Sequence, residues 1–271
     1  MHLAVNYSEE AAALIRGGAI EVDLFKCPDW PDLIASAQSL RPAYVHFPWR
    51  AGSRRMSEID WPAAERVLAS THTPFVNMHL SPSAQDFAAM LVDTCDADHR
   101  RAVTEAMYAD AEFVAGRFGA DRVILENVMW DPGPPWFIPR PALEAHVIRE
   151  VVSATGCGFC LDLCHARISA HYLRVDEKDY LAALPVGRLR ELHLTGIRLG
   201  EDGLEHDHYP LTDDDWQWAA WALDRIRTGE WPTPRIIAFE YGGMGPAYRG
   251  RSDPTVLAHQ VPRLLSLTRP G

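Results

Sequence analysis

The sequence predicts an α/β protein, a (β/α)8 TIM barrel formed as a single domain over residues 1–271. Three observations lead there. Strand-like runs and amphipathic helical patterns alternate eight times along the chain. The length of 271 residues suits a barrel of about 250 residues. Imidazoles and carboxylates also recur where strands end, the end at which parallel barrels place their chemistry. A doubly wound open sheet is the competing arrangement, but NYSEE follows the first strand where such a fold has a Gly-rich phosphate turn.

The elements follow in order. Residues 3–7 read as the first strand, and EEAAALIRGG as its helix. Residues 20–25 form the second strand, followed by the helical PDLIASAQSL, closed near Pro42. The third strand is 43–48, and its helix, 62–70, has Pro62 in the first turn, where the missing N–H is tolerated. Strand four spans 75–80, with a long helical region over 84–119 interrupted near 93–98. Strand five is 123–128, backed by a helix over 141–155. Strand six is 158–163, then a short helix at 177–184. Strand seven is 189–195 with helix 213–227, and strand eight is 236–241 with helix 254–265. WQWAAWALDRI has helical spacing and reads as core packing.

Composition narrows the function. A 47% hydrophobic content with interspersed charge fits a soluble globular protein. The first residues lack a basic start followed by an apolar run, and no stretch of about 18 apolar residues offers a membrane span, so a cytoplasmic protein without membrane contact is expected. Five cysteines, an odd number in a chain of this size, argue against a disulfide scaffold. Cys157-Gly-Phe-Cys160 has redox spacing, yet strand alternation sends the two thiols to opposite faces. The formal charge of −11 argues against a nucleic-acid partner, although Arg54, Arg55, Arg198, Arg249 and Arg251 could form a local basic pocket.

Chemistry concentrates at seven side chains: His46, His79, Glu126, Asp162, His165, His193 and Glu240. Buried ionisable groups of this kind are costly unless a cation or substrate offsets them. Alternation places Ile124 with Glu126, Cys160 with Asp162, Ala238 with Glu240, and Leu189 and Glu191 with His193. Glu191 then lies one layer below His193, as a partner for its second N–H. Glu126 could instead meet an arginine in a salt bridge, and Asn127 beside it reads as a cap for the next turn. Asp162 and His165 sit three apart across a strand-to-loop transition, a spacing that reaches one metal or two neighbouring ones. His206 and His208, in the loop after the seventh strand, are further ligand candidates. Mixed oxygen and nitrogen donors suit Fe, Mn, Co or Zn rather than Ca. The segment DPGPPWFIPRP, at 131–141, is either a rigid surface loop or a wall over the site.

These residues resemble the xylose-isomerase-like TIM-barrel superfamily, which includes sugar isomerases and epimerases and the endonuclease IV class. The second half is most similar to the methanobactin-biosynthesis-type multinuclear iron proteins. That similarity runs from His79 to Pro246 through HLSP, ENV, GCGFCLD, ELHLTG, HDHYPLTDDDW and FEYGGMGP. The iron family has Asp-x-Asn-Asn where this chain has Asp162-Leu163-Cys164-His165. It has a second histidine where this chain has Ile197, an aspartate at Leu204, and another at Gly242. Asp162-x-x-His165 is instead what the endonuclease IV class and the epimerases carry.

The resemblance implies a metal-dependent enzyme. Its metal ligands would come from His46, His79, Glu126, Asp162, His165, His193, His206, His208 and Glu240, and its catalytic groups from Glu126, Glu240, His165 and Arg198. The first expectation is a multinuclear site, with iron favoured, that oxidatively modifies a peptide or thiol-containing substrate. The alternatives are a sugar isomerase or epimerase with one divalent metal, with Arg198 as its substrate arginine, and a metal-dependent phosphodiesterase. A non-catalytic binding barrel is the remaining class. A small molecule or short peptide is the expected substrate, with a partner protein or a second copy of the chain as a further possibility.

Overall fold

The computed structural model describes residues 1–243 and 251–269. Arg249 and residues 244–246 of the last motif lie outside the described residues. Strands and helices alternate as β1 (His2–Asn6), α1 (Glu9–Arg16), β2 (Leu24–Cys27), α2 (Pro31–Gln38), β3 (Ala43–Val45), α3 (Trp61–Ser70) and β4 (Val76–His79). The order continues with α4 (Ala97–Phe118), β5 (Val123–Glu126), α5 (Ala145–Thr155), β6 (Gly158–Asp162), α6 (Leu163–Leu173), α7 (Glu177–Ala183) and β7 (Leu189–Leu194). It closes with β8 (Gly196–Leu199), β9 (Glu205–Tyr209), α8 (Asp213–Arg227), β10 (Ile236–Phe239) and α9 (Pro254–Thr268). The chain divides into two compact units: Met1–His46, Pro62–Pro74 and Glu191–Gly271 in the first, Phe47–Trp61 and Phe75–Arg190 in the second.

In the first unit the parallel strands run in the order β3-β2-β1-β10-β7. Register sets what shares a face: Ala4 pairs with Leu24 and with Ala238, and Ala238 with His193. Ala4, Leu24, Tyr44, Ile236 and Ala238 pack as one buried cluster. Side chains alternate along each strand, so Lys26, two beyond Leu24, and Glu240, two beyond Ala238, share the faces of that cluster. Both are buried.

The second unit holds β4, β5 and β6, with His79 level with Glu126 and Glu126 level with Cys160. Two candidate donors, His79 and Glu126, therefore stand in one row with Cys160 across three strands. Helix α4 starts at Ala97 because the Asp96 carboxylate accepts the Asp98 and His99 N–H groups. The helical region expected over 84–119 with an interruption near 93–98 is a 3-10 turn at Ala84–Asp86, then loop up to that cap.

Two further elements differ from the sequence expectation. Asp162 is both the end of β6 and the N-cap of α6, so a helix begins where a loop was expected. Residues 196–209 form the antiparallel β8–β9 hairpin rather than a loop. Gly196 permits it, since a Cβ there would lie 2.0 Å from the Pro210 carbonyl oxygen. Of the α8 tryptophans expected in the core, Trp216 is buried whereas Trp218 and Trp221 are half-buried and edge-on to each other. Cys157 and Cys160 are both buried and neither is in a disulfide, and burial pushes the Cys157 thiol above its ordinary pKa. No described helix is long and apolar enough to cross a membrane.

Candidate metal centres

The first unit builds its polar cluster on β7. His193 is fully buried, and its Nε2 lies 2.9 Å from Oε1 of Glu191 on the same strand face. The Tyr44 hydroxyl, from β3, donates to the same Glu191 oxygen at 2.8 Å. With its hydrogen on Nε2, toward Glu191, the ring has Nδ1 as its lone-pair nitrogen. That Nδ1 faces Glu240 Oε1 at 3.2 Å. Glu240 is held in place by its backbone N–H, which donates to the Leu194 carbonyl. The Lys26 ammonium, from the end of β2, forms an ion pair with the same carboxylate. His46 stands edge-on to His193 with ring centroids 5.1 Å apart. Donor atoms of His46, Glu191 and His193 all lie within 4.8 Å of one another, a grouping able to hold a metal ion.

In the second unit the cluster rests on Glu126, which is 1% exposed at the end of β5. His79 Nε2 lies 3.7 Å from Glu126 Oε2, while its Nδ1 is 3.3 Å from the Trp49 carbonyl oxygen. His165 Nδ1 is 3.0 Å from the Asn127 carbonyl oxygen, 3.8 Å from Glu126 Oε1 and 3.7 Å from Asp162 Oδ2. A carbonyl accepts only, so each Nδ1 carries the hydrogen and each Nε2 is the lone-pair nitrogen. Asp162 accepts the His165 backbone N–H at 2.8 Å, which turns the chain into α6 and sets the imidazole over the carboxylates. Glu126, Asp162 and His165 offer donors within 4.8 Å of one another. Asn127, expected as a cap, instead clamps β6: its side chain donates to the Asp162 carbonyl and accepts the Asp162 N–H.

The chemistry of these donor sets fits a metal. In each unit a lone-pair nitrogen faces a buried carboxylate oxygen, at 3.2 Å for His193–Glu240 and 3.7 Å for His79–Glu126. Two electron-rich atoms at that separation repel in a low-dielectric interior unless positive charge offsets them; the Lys26 ammonium does so at Glu240, and a bound cation would do so at either pair. Nitrogen and oxygen donors with an N–H partner behind each imidazole are the arrangement of ligating histidines.

The remaining candidates make other contacts. His206, in β9, points Nε2 at Asp202 at 3.0 Å, closing the tip of the hairpin. Asp202 is held below the usual carboxylate range, chiefly by the Leu204 backbone N–H and then by His206. His208, at φ 61, has Nδ1 2.9 Å from the Gly242 carbonyl oxygen and Nε2 3.4 Å from Asp207. Neither His206 nor His208 joins a metal-competent group among the described residues. Arg198 donates to the Ile197 and Pro210 carbonyls and lies 3.7 Å from Asp215, tying the hairpin to the start of α8. Of the arginines expected to form a basic pocket, Arg54 stacks on Phe87 in the second unit, while Arg198 and Arg251 both lie over the Tyr209 ring in the first, at 6.0 and 4.7 Å.

Lys26 and Tyr44 escaped the sequence reading. The signal was present in VDLFKC and PAYVHF, where each stands at the inward parity of its strand, two from Leu24 and two from His46.

Solved structures share the fold across nearly the whole chain. A D-psicose 3-epimerase aligns with a TM-score of 0.58 at 11% identity, covering 99% of this chain and 98% of that one. A xylose isomerase domain protein from Alicyclobacillus acidocaldarius aligns at 0.57 and 18% identity, covering 98% of each. The fold is therefore the xylose-isomerase-like (β/α)8 TIM barrel. A UPF0276 protein of Rhizorhabdus wittichii is 28% identical over 181 residues, which is 65% of this chain and 62% of that protein. The chain spans less than two thirds of the length of the curated relatives it matches. Residues 66–234 match the family model described as RiPP precursor modification enzyme MbnB/TglH/ChrH. That segment covers more than half of the chain and contains His79, Glu126, Asp162, His165 and His193, so the chain belongs to the MbnB/TglH/ChrH family of RiPP precursor modification enzymes.

Proposed function

We propose that this protein is a metal-dependent enzyme that oxidises a thiol-bearing residue of a precursor peptide, with a multinuclear iron site and dioxygen as the electron acceptor. The observation that carries the reading is the pairing of lone-pair imidazole nitrogens with buried carboxylates in both units of a chain from a peptide-modifying family. His79, Glu126, Asp162 and His165 would hold metal in the second unit. His46, His193 and Glu240 would do so in the first, with Glu191 and Tyr44 orienting the His193 ring. Iron, when bound, supplies Lewis acidity and redox capacity. The buried carboxylates neutralise its charge and take up the thiol proton. Glu191 holds the proton on His193 Nε2, so that Nδ1 stays available as a donor. The Asn127 clamp keeps Asp162 and Glu126 in fixed register. Arg198 is the candidate for contact with substrate outside these groups.

The test is turnover. Protein loaded anaerobically with Fe(II) is mixed with a cysteine-containing peptide and oxygen, and peptide mass and oxygen consumption are followed. The reading expects a mass change that depends on iron and oxygen and is lost in Glu126→Gln. An unchanged peptide, with ketose epimerisation by the Mn- or Co-loaded protein, would replace it with the sugar-epimerase reading.

A further inference from the structure

A cavity of about 360 Å³ opens in the second unit, formed by the loops that follow β3, β4 and β5. The volume lies within the range of small-ligand pockets. Trp49, Met56 and Ile59 give it an apolar wall, and Arg50 and Arg55 enter it with Asp86. The wall is attached to the candidate metal cluster of the same unit. Arg50 bridges His79 in parallel register, the Ala51 N–H donates to the His79 carbonyl, and the His79 N–H to that of Trp49.

Arg50 sets the ligand chemistry. Its Nε donates to the Ser81 carbonyl at 2.9 Å and hydroxyl at 3.1 Å, Nη2 lies 3.5 Å from the Trp136 carbonyl, and the guanidinium stacks on Trp136 at 5.0 Å. All these partners are neutral. Two carboxylates also line the pocket: Asp86 is turned to Arg55 at 3.2 Å, and Glu58 is exposed at its rim. Burial pushes the Arg50 guanidinium below its ordinary pKa, against the opposing pull of Asp86. A half-buried guanidinium fixed on one edge by carbonyls, with its Nη1 making no hydrogen bond among the described residues, is built to receive an anion.

We propose that this pocket binds a carboxylate of the peptide substrate, anchored on Arg50 beside the His79–Glu126 cluster, and so selects which residue is presented for modification. The inference rests on the peptide-modifying reading above. The carboxylate has two sources, the C-terminus of the peptide or an acidic side chain, and both meet the guanidinium in the same way.

Binding of fluorescein-labelled Gly-Ser-Ala-Ser-Gly to the metal-loaded full chain separates them. Three forms are compared by anisotropy: the free acid, the C-terminal amide, and an amide ending in Glu in place of the last Gly. The expected result is about tenfold tighter binding of one or both acidic forms than of the plain amide, the tighter arm naming the source. Arg50→Gln should bring that preference below about twofold, the salt-dependent part of the contact being lost. Arg50 also fastens two loops, so Gln85→Glu is the second variant: it adds a charge to the lining from an exposed position without a polar contact in the structure, and should weaken both acidic forms severalfold. Equal binding of all three peptides, binding of none at millimolar concentration, or a preference intact in both variants would overturn the proposal. Metal content measured on the same samples keeps the two readings apart: metal-loaded protein without carboxylate preference refutes the pocket alone, and carboxylate preference without thiol oxidation refutes the chemistry alone.

Discussion

Substituting Tyr44 by Phe removes one oxygen atom from the interior and keeps the ring, so it isolates the contact behind His193. The Tyr44 hydroxyl donates to Glu191 Oε1 at 2.8 Å, and both side chains are 2% exposed. A hydrogen bond from a neutral donor to a buried carboxylate is worth about 1.5–3 kcal/mol, and here the carboxylate left behind has no water to replace the lost donor. For a chain of this size each kcal/mol moves the midpoint by roughly 2–4 °C, so Tyr44→Phe should lower it by about 3–12 °C. The same loss leaves Glu191 less firmly placed against His193 Nε2. Groups behind a ligating histidine change metal affinity by roughly 10–100-fold, and Tyr44, one bond further out, should fall at the low end. Thermal melting gives the first quantity and competition with a graded chelator the second. A melting point within about 1 °C of wild type, together with unchanged metal retention, would refute the relay from Tyr44 through Glu191 to His193.

Other consequences concern the rest of the molecule. Asp110 Oδ2 accepts the Gly52 and Arg54 backbone N–H groups at 2.8 Å each, so Asp110→Ala should destabilise by about 1–3 kcal/mol in urea unfolding, while Asp110→Asn keeps the acceptor and should cost less. Burial raises the Asp110 pKa above its ordinary 3.8 despite those N–H groups, so its contribution is present below 3.8 and is lost as pH rises through the folded value. The stability of Asp110→Asn relative to wild type should therefore increase between pH 4 and neutrality, and a slope of opposite sign would refute the assignment. Among the five cysteines only Cys95 is exposed, and burial pushes the Cys27 thiol up to about 12. One thiol should label rapidly with a disulfide reagent at neutral pH, none in Cys95→Ser, and all five only after denaturation.

The strand ends were legible because they needed only period-two alternation and a polar residue closing an apolar run, as in VILEN and FCLDL. Donors that lie within a strand were not. Lys26 sits in LFKC one residue before an apolar cysteine, and its parity with Leu24 gains meaning only from its register against Asn6 and Tyr44. Tyr44 reads as an ordinary strand aromatic until Glu191, 147 residues away, is seen to accept its hydroxyl. The helix at Leu163 was hidden because Asp162 serves two elements at once, ending β6 and capping α6. The hairpin at 196–209 was hidden by its charge: EDGLEHDHY looks like solvated loop, yet it pairs across the strands in antiparallel register. His206 and His208 drew attention as imidazoles close to His193 in sequence, but the hairpin turns them to Asp202 and to the Gly242 carbonyl.

Metal content per chain tests the central claim most directly. Protein loaded anaerobically with Fe(II), freed of loose ions and measured by elemental analysis, should retain two or more irons, one or more for each cluster. Glu126→Gln and His193→Gln should each lower that number while keeping the wild-type circular dichroism spectrum. A chain that retains no iron after loading, or that retains the same amount in both variants, would contradict the account.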